Sequence, residues 1–190
     1  MPECESGAGA PQSKDATHQN FEIPIRLNQA QPITNNRRLT TVDLLILLFW
    51  ILILAFFFAK VEIHIEGGDG WGAGLPTWRI EKHWLLDIFW GGRPMTGYHA
   101  WVFPFIILLF HTVFFLGCGW SIKLEAKVVA SLMTFWLTED FLWFILNPHY
   151  GFRKFNKNDI SWHSHRWFIF MPVDYWIFLI AASLLFWYSK

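Results

Sequence analysis

Sixteen consecutive residues, Leu44–Ala59, contain no charged side chain. A helix needs about 20 apolar residues to cross the hydrocarbon core of a bilayer. Lipid cannot satisfy backbone N–H and C=O groups, so such a segment must be helical. The first span is therefore read as Leu44–Ile65, with Asp43, Lys60 and Glu62 at its ends. Lys60 can run its ammonium along the stem to the interface.

Three further segments repeat the pattern. No charge occurs between Arg93 and Lys123, which predicts a second span over Tyr98–Ile122 with Pro104, His99 and His111 inside it. A third is predicted over Val128–Leu146, holding Glu139 and Asp140, and a fourth over Trp167–Tyr188, with Pro172 and Asp174 in its first half. Composition agrees: 54% of residues are hydrophobic, only 16% are charged, and 19% are aromatic, including 13 Trp and 20 Phe. A soluble domain carries about 25% charge, whereas Trp and Tyr suit the membrane–water interface.

Between the first two spans lies the long connection 66–97. Its residues 67–74 include five glycines, a composition suited to tight turns and close backbone approach. The spacing misses both the P-loop and the dinucleotide fingerprint. Pro76-Thr77 reads as a helix start, and Ile80, Trp84, Leu85, Ile88 and Phe89 recur at helical spacing up to Gly91-Gly92. This predicts a short amphipathic helix in the interface plane.

The expected fold class is thus an all-α membrane protein with about four transmembrane helices plus one short interfacial amphipathic helix. Residues 1–41 form a polar, mostly disordered segment in this reading, and residues 42–190 the transmembrane domain. Residues 120–127 are read as a short turn. The loops 66–97 and 147–166 then share one side, so an active site should open there. Basic residues divide six against eight between the two sides, which gives no orientation by the positive-inside rule.

Fifteen basic residues balance fifteen acidic ones, and the absence of a broad basic field argues against nucleic acid as a partner. Cys4 and Cys118 make neither a metal spacing nor a disulfide framework.

The residues most able to do chemistry are Glu139 and Asp140. A charge at mid-bilayer costs about 2.5–3.5 kcal/mol on insertion scales, and intramembrane acids are functional by default. Two adjacent acids repel if both ionise, so at least one should be protonated, paired or metal-bound. Trp136 and Trp143 lie at i−3 and i+4 from Glu139. A carboxyl among indole rings is a candidate proton donor or acceptor. His149, delivered by the Pro148–Gly151 turn beyond the helix, joins the two acids as a catalytic candidate. Trp136, Trp143, Arg79 and Arg93 are the substrate-binding candidates, the arginines because their forks match phosphate oxygens. His163, His165 and His99 are candidate ligands for a divalent Fe, Zn or Mn ion, although no histidine-box spacing is present.

The run Glu139-Asp140-Phe141-Leu142-Trp143-Phe144 resembles, over these six residues alone, the acidic-aromatic helices of membrane lycopene and terpene cyclases. The resemblance assigns no family; it implies alkene protonation with aromatic stabilisation of a carbocation. Two functions follow. One is a multi-pass membrane enzyme acting on a lipid or isoprenoid-type substrate, by proton transfer and cyclisation or by metal-assisted chemistry. The other is a non-enzymatic membrane subunit, assembly factor or small carrier, with a membrane protein or a second copy as partner.

Overall fold

The computed structural model describes residues 40–160 and 166–190. Up to residue 39, the polar N-terminal segment lies outside the described residues. The rest is helical apart from two short antiparallel ladders of two residues per strand.

Helix α1 runs Thr41–Glu66. It starts on a capping box: Thr40 Oγ1 accepts from the Asp43 N–H, and Asp43 Oδ2 accepts from the Thr40 N–H, both at 3.1 Å. It ends at Gly67, whose φ of 69° an L side chain rarely adopts. Its buried face steps through Ile51, Ala55, Ala59, Glu62, Ile63 and Glu66. Ala55 and Ala59 are fully buried, and such small residues let helix backbones approach closely.

The amphipathic helix differs from expectation. Helix α2 covers only Trp84–Phe89, and His83, not Thr77, caps it. Arg79 and Ile80 form strand β1, paired with Thr96 and Met95 of β2 (Met95–Thr96). That pairing commits the backbone before a helix could begin. Gly92 N–H then bonds the Leu86 carbonyl at 3.0 Å and closes the helix.

Helix α3 spans Gly97–His111 and continues as a 3-10 turn to Phe114. It is shorter than predicted, because the chain reverses through Gly117 and Gly119, both at positive φ. Helix α4, Ile122–Leu146, begins six residues before the predicted start. Ser121 Oγ accepts from the Leu124 N–H at 3.2 Å, and Glu125 in the first turn suits the positive end of the helix dipole. The expected turn at 120–127 is therefore mostly helix. Residues Trp167–Phe168 (β3) pair with Met171–Pro172 (β4), so α5 covers only Val173–Tyr188, 16 residues.

Among the described residues three helices, Thr41–Glu66, Gly97–Phe114 and Ile122–Leu146, are long and apolar enough to cross a membrane, and α5 is apolar but shorter. The fold is that of a multi-pass helical membrane protein. Helix α4 is its centre: it packs along both α1 and α5, and lightly on α3. One core cluster joins Ala59 and Ile63 to Trp143 and Phe144, and a second joins Ile51 and Ala55 to Ile106 and Phe135.

The glycine-rich stretch makes the close backbone approach its composition predicts, and the surface it meets is the end of α4. Asn147, 1% exposed, donates from Nδ2 to the Gly67 carbonyl at 2.7 Å. Its Oδ1 accepts from the His149 N–H at 3.0 Å, and the Tyr150 hydroxyl donates to the Gly68 carbonyl at 3.0 Å. Asn147→Ala leaves a part-buried carbonyl without its donor and should cost about 1 kcal/mol, the low end for an unsatisfied polar group. Thermal unfolding of the purified protein in detergent checks this; an unchanged midpoint would contradict it.

Candidate functional site

Helices α1, α3, α4 and α5 and the long connection meet around one cavity of about 370 Å³, within the range of roughly 300–1,000 Å³ usual for ligand sites. Glu62 and Glu66 enter from the end of α1, and His99 and Phe103 from the start of α3. Trp136, Glu139, Asp140 and Trp143 come from α4, and Asp174 and Tyr175 from the start of α5. Trp71, Trp90 and Arg93 of the 66–97 connection complete the wall. The polar groups thus gather at the helix ends nearest that connection.

Glu139 is 2% exposed and Glu62 is 8% exposed. Their carboxyl groups face each other across α1 and α4. An ionised carboxylate only accepts, so a hydrogen bond between them requires at least one of the two to keep its proton. The Tyr98 hydroxyl donates to Glu62 Oε1 at 2.9 Å. On the neighbouring residue, the Tyr175 hydroxyl donates to Asp140 Oδ2 at 2.5 Å. The adjacent acids thus have different partners: Glu139 shares a carboxyl contact, while Asp140 accepts from a phenol.

A second polar set lies beside the first. His99 Nδ1 is 2.7 Å from Thr96 Oγ1, which also accepts from the His99 backbone N–H. The Thr96 hydroxyl can both donate and accept, so either ring tautomer satisfies this contact. Nε2 faces Glu66 Oε1 at 3.7 Å. Trp71 stacks on the His99 ring at 4.2 Å between centroids, and Arg93 Cζ lies 4.4 Å from the Trp71 centroid. Trp71 is held there by donating from Nε1 to the Pro94 carbonyl at 2.6 Å, on a backbone with φ of 48°. Arg93 donates from Nε to the Trp90 carbonyl at 2.8 Å and pairs with Asp174 at 3.3 Å. Burial pushes the Arg93 guanidinium below its ordinary pKa, and Asp140 and Asp174 oppose that shift.

Among the residues picked out by sequence, Glu139, Asp140, Trp136, Trp143, Arg93 and His99 line this one cavity. Two others stand apart. The Arg79 guanidinium clasps the carbonyls of Gly72, Ala73 and Leu75, fixing the glycine-rich turn. His149 has its ring against Gly68 and is exposed. His163 and His165 lie outside the described residues. Among the described residues, no group of three or more His, Cys, Asp or Glu side chains is placed to hold a metal ion. His111 bonds Glu125 at 3.1 Å, away from the cavity.

The sequence alone does not single out Glu62, which stands with Glu66 at the edge of the first span. Their i, i+4 spacing puts both on one helical face, the same face that carries Ala55 and Ala59. That repeat is the available signal. Trp71, masked by its glycine neighbours, leaves none.

The fold and site define a multi-pass helical membrane protein with an internal cavity walled by acids and aromatic rings. No family model matches this chain, and no curated protein or solved structure resembles it closely enough to match.

Proposed function

We propose that the chain is a membrane-embedded enzyme that moves protons on a lipid or isoprenoid-type substrate inside the bilayer. In this reading α5 is a fourth span, so both termini share a side, and α2 lies in the interface. Trp84 and Leu85, 64% and 36% exposed, support that placement, since interfacial helices bury such side chains among headgroups. The observation that carries the function is the buried, adjoining carboxyl pair Glu62–Glu139 beside Asp140, in a cavity lined by indoles.

The chemistry follows from the groups present. A protonated carboxyl of the pair gives its proton to an alkene carbon: the O–H bond breaks, a C–H bond forms, and a carbocation remains on the substrate. Trp136 and Trp143 stabilise that charge through their π systems, and the Asp140 carboxyl, held by Tyr175, does so electrostatically. Loss of a proton from a neighbouring carbon to the carboxylate restores the acid and yields an isomerised or cyclised product of unchanged mass. No oxidant or reductant is consumed. The subunit reading has less support, because Glu62 and Glu139 are buried between helices of this chain and not on an outer face where a partner helix would meet them.

The test compares lipid extracts from membranes containing the wild type, Glu139→Gln or Asp140→Asn at equal expression. The expected result is a species of unchanged mass and shifted retention, made by the wild type and missing from both variants. Identical extracts from all three, or from cells without the protein, would refute the reading.

A further inference from the structure

We infer that the substrate is a neutral unsaturated chain, with no phosphate or carboxylate on the end that enters, and that the cavity selects for positive charge on that end. The inference rests on the function proposed above and concerns the same cavity.

Charge comes first. The described lining carries five carboxyl side chains, Glu62, Glu66, Glu139, Asp140 and Asp174, against one guanidinium and one imidazole. A phosphate or carboxylate would have to rely on Arg93. That guanidinium already meets Asp174 and the Trp90 carbonyl and lies over the Trp71 ring. An anionic end would bring like charge into a site of low dielectric, where repulsion is strong.

Hydrogen-bond capacity points the same way. Oε1 of Glu139 and Oε1 of Glu66 are buried with no hydrogen-bond partner among the described residues, and His99 Nε2 stands 3.7 Å from Glu66 Oε1. Both residues line the cavity. A cationic or hydroxyl end supplies the donor they lack; a phosphate dianion or carboxylate supplies only more acceptors. The indole faces of Trp71, Trp136 and Trp143 add attraction for a cation and none for an anion.

Shape supplies the chain. The opposite end of the cavity is apolar, formed by Ile107, Leu132, Met133, Leu137 and Phe178. From Leu132 to Phe144 the wall follows α4 through twelve residue steps, about 18 Å of helix rise. A single extended chain fits along it, with its reacting end at the acids. Charge therefore has to appear on the substrate by protonation, since the site offers nothing to draw an anionic leaving group away.

The experiment uses purified full-length protein in micelles exposed to an equimolar mixture of oleylamine, oleyl alcohol and oleyl phosphate. Ligand retained after gel filtration is measured by mass spectrometry. The amine is a stable stand-in for the cationic reacting end, as a transition-state mimic should be. The expected retention is roughly tenfold or more in favour of the amine over the phosphate, which is at least about 1.4 kcal/mol of discrimination. Glu139→Gln should reduce that ratio. Met133→Trp, filling the apolar end, should lower retention of oleylamine but not of octylamine. Equal or preferred retention of the phosphate overturns the inference, and so does an amine preference that neither variant alters. Amine selectivity with identical wild-type and Glu139→Gln lipid extracts would sink the enzyme reading alone. A product lost in Glu139→Gln with phosphate preferred would sink only the charge preference.

Discussion

Arg93→Met is expected to destabilise the protein by about 3 kcal/mol, the low end of the cost of breaking a buried ion pair. The low end applies because Asp174 retains 27% side-chain exposure, against 13% for Arg93. Three contacts go at once: the pair with Asp174, the bond to the Trp90 carbonyl, and the stack over Trp71. Removing the guanidinium also leaves Asp140 and Asp174 without the charge that offsets them. For a chain of this size the drop in Tm should be about 6–12 °C by the usual scaling. Arg93→Lys should recover only part of it, since an ammonium lacks the planar face that lies on the indole. Adding Asp174→Leu to Arg93→Met should recover more, because it removes a stranded carboxylate instead of restoring a charge. Thermal unfolding of the four proteins checks the series. If Arg93→Met melts with the wild type, the pair is solvated and the cavity is wetter than the packing implies.

The spans were legible because apolar length is written directly in the chain. Leu44–Ala59 and the charge-free stretch before Lys123 need no tertiary information to be read as membrane helices. Helix ends were less legible, for a local reason. Lys123, Glu125 and Lys127 look like a loop by charge, yet a Ser121 cap and a favourable dipole let α4 begin there. Ile80 fits a helical period, but its pairing with Met95 is non-local and leaves no trace in that period. The candidate site was half legible. Glu139 and Asp140 stood out because acids are costly in a span, and their indole neighbours follow from helical spacing. Glu62 did not stand out, since at a span end an acid is unremarkable; only its contact with Glu139 gives it meaning. The same holds for Tyr175 and Trp71, whose positions depend on how α5 and the connection fold over α4. The contacts of Arg79 were illegible for the same reason, since its three loop carbonyls meet it only when the glycine-rich turn folds.

Glu62→Gln and Glu139→Gln should each lower turnover by about 10²–10⁴-fold, the range for losing a positioned acid–base group, while leaving the fold in place. An amide can donate where a protonated carboxyl does, so either variant still bridges α1 to α4. Glu62→Gln would also keep an oxygen to accept from Tyr98. What neither variant retains is a proton able to leave. The double substitution should then be no worse than the poorer single one, because groups that act as a unit are not additive. Glu139→Leu gives the contrast: it removes the bridge as well as the proton, and stability should fall along with turnover. A structural carboxyl pair makes different predictions. Activity would then follow the folded fraction, the two amide variants would show little loss, and only the leucine variant would fail. Product formation per folded molecule, with folding scored by thermal unfolding, separates the two accounts. The decisive quantity is whether turnover falls at constant Tm, since that alone requires the shared proton to be used and not merely held.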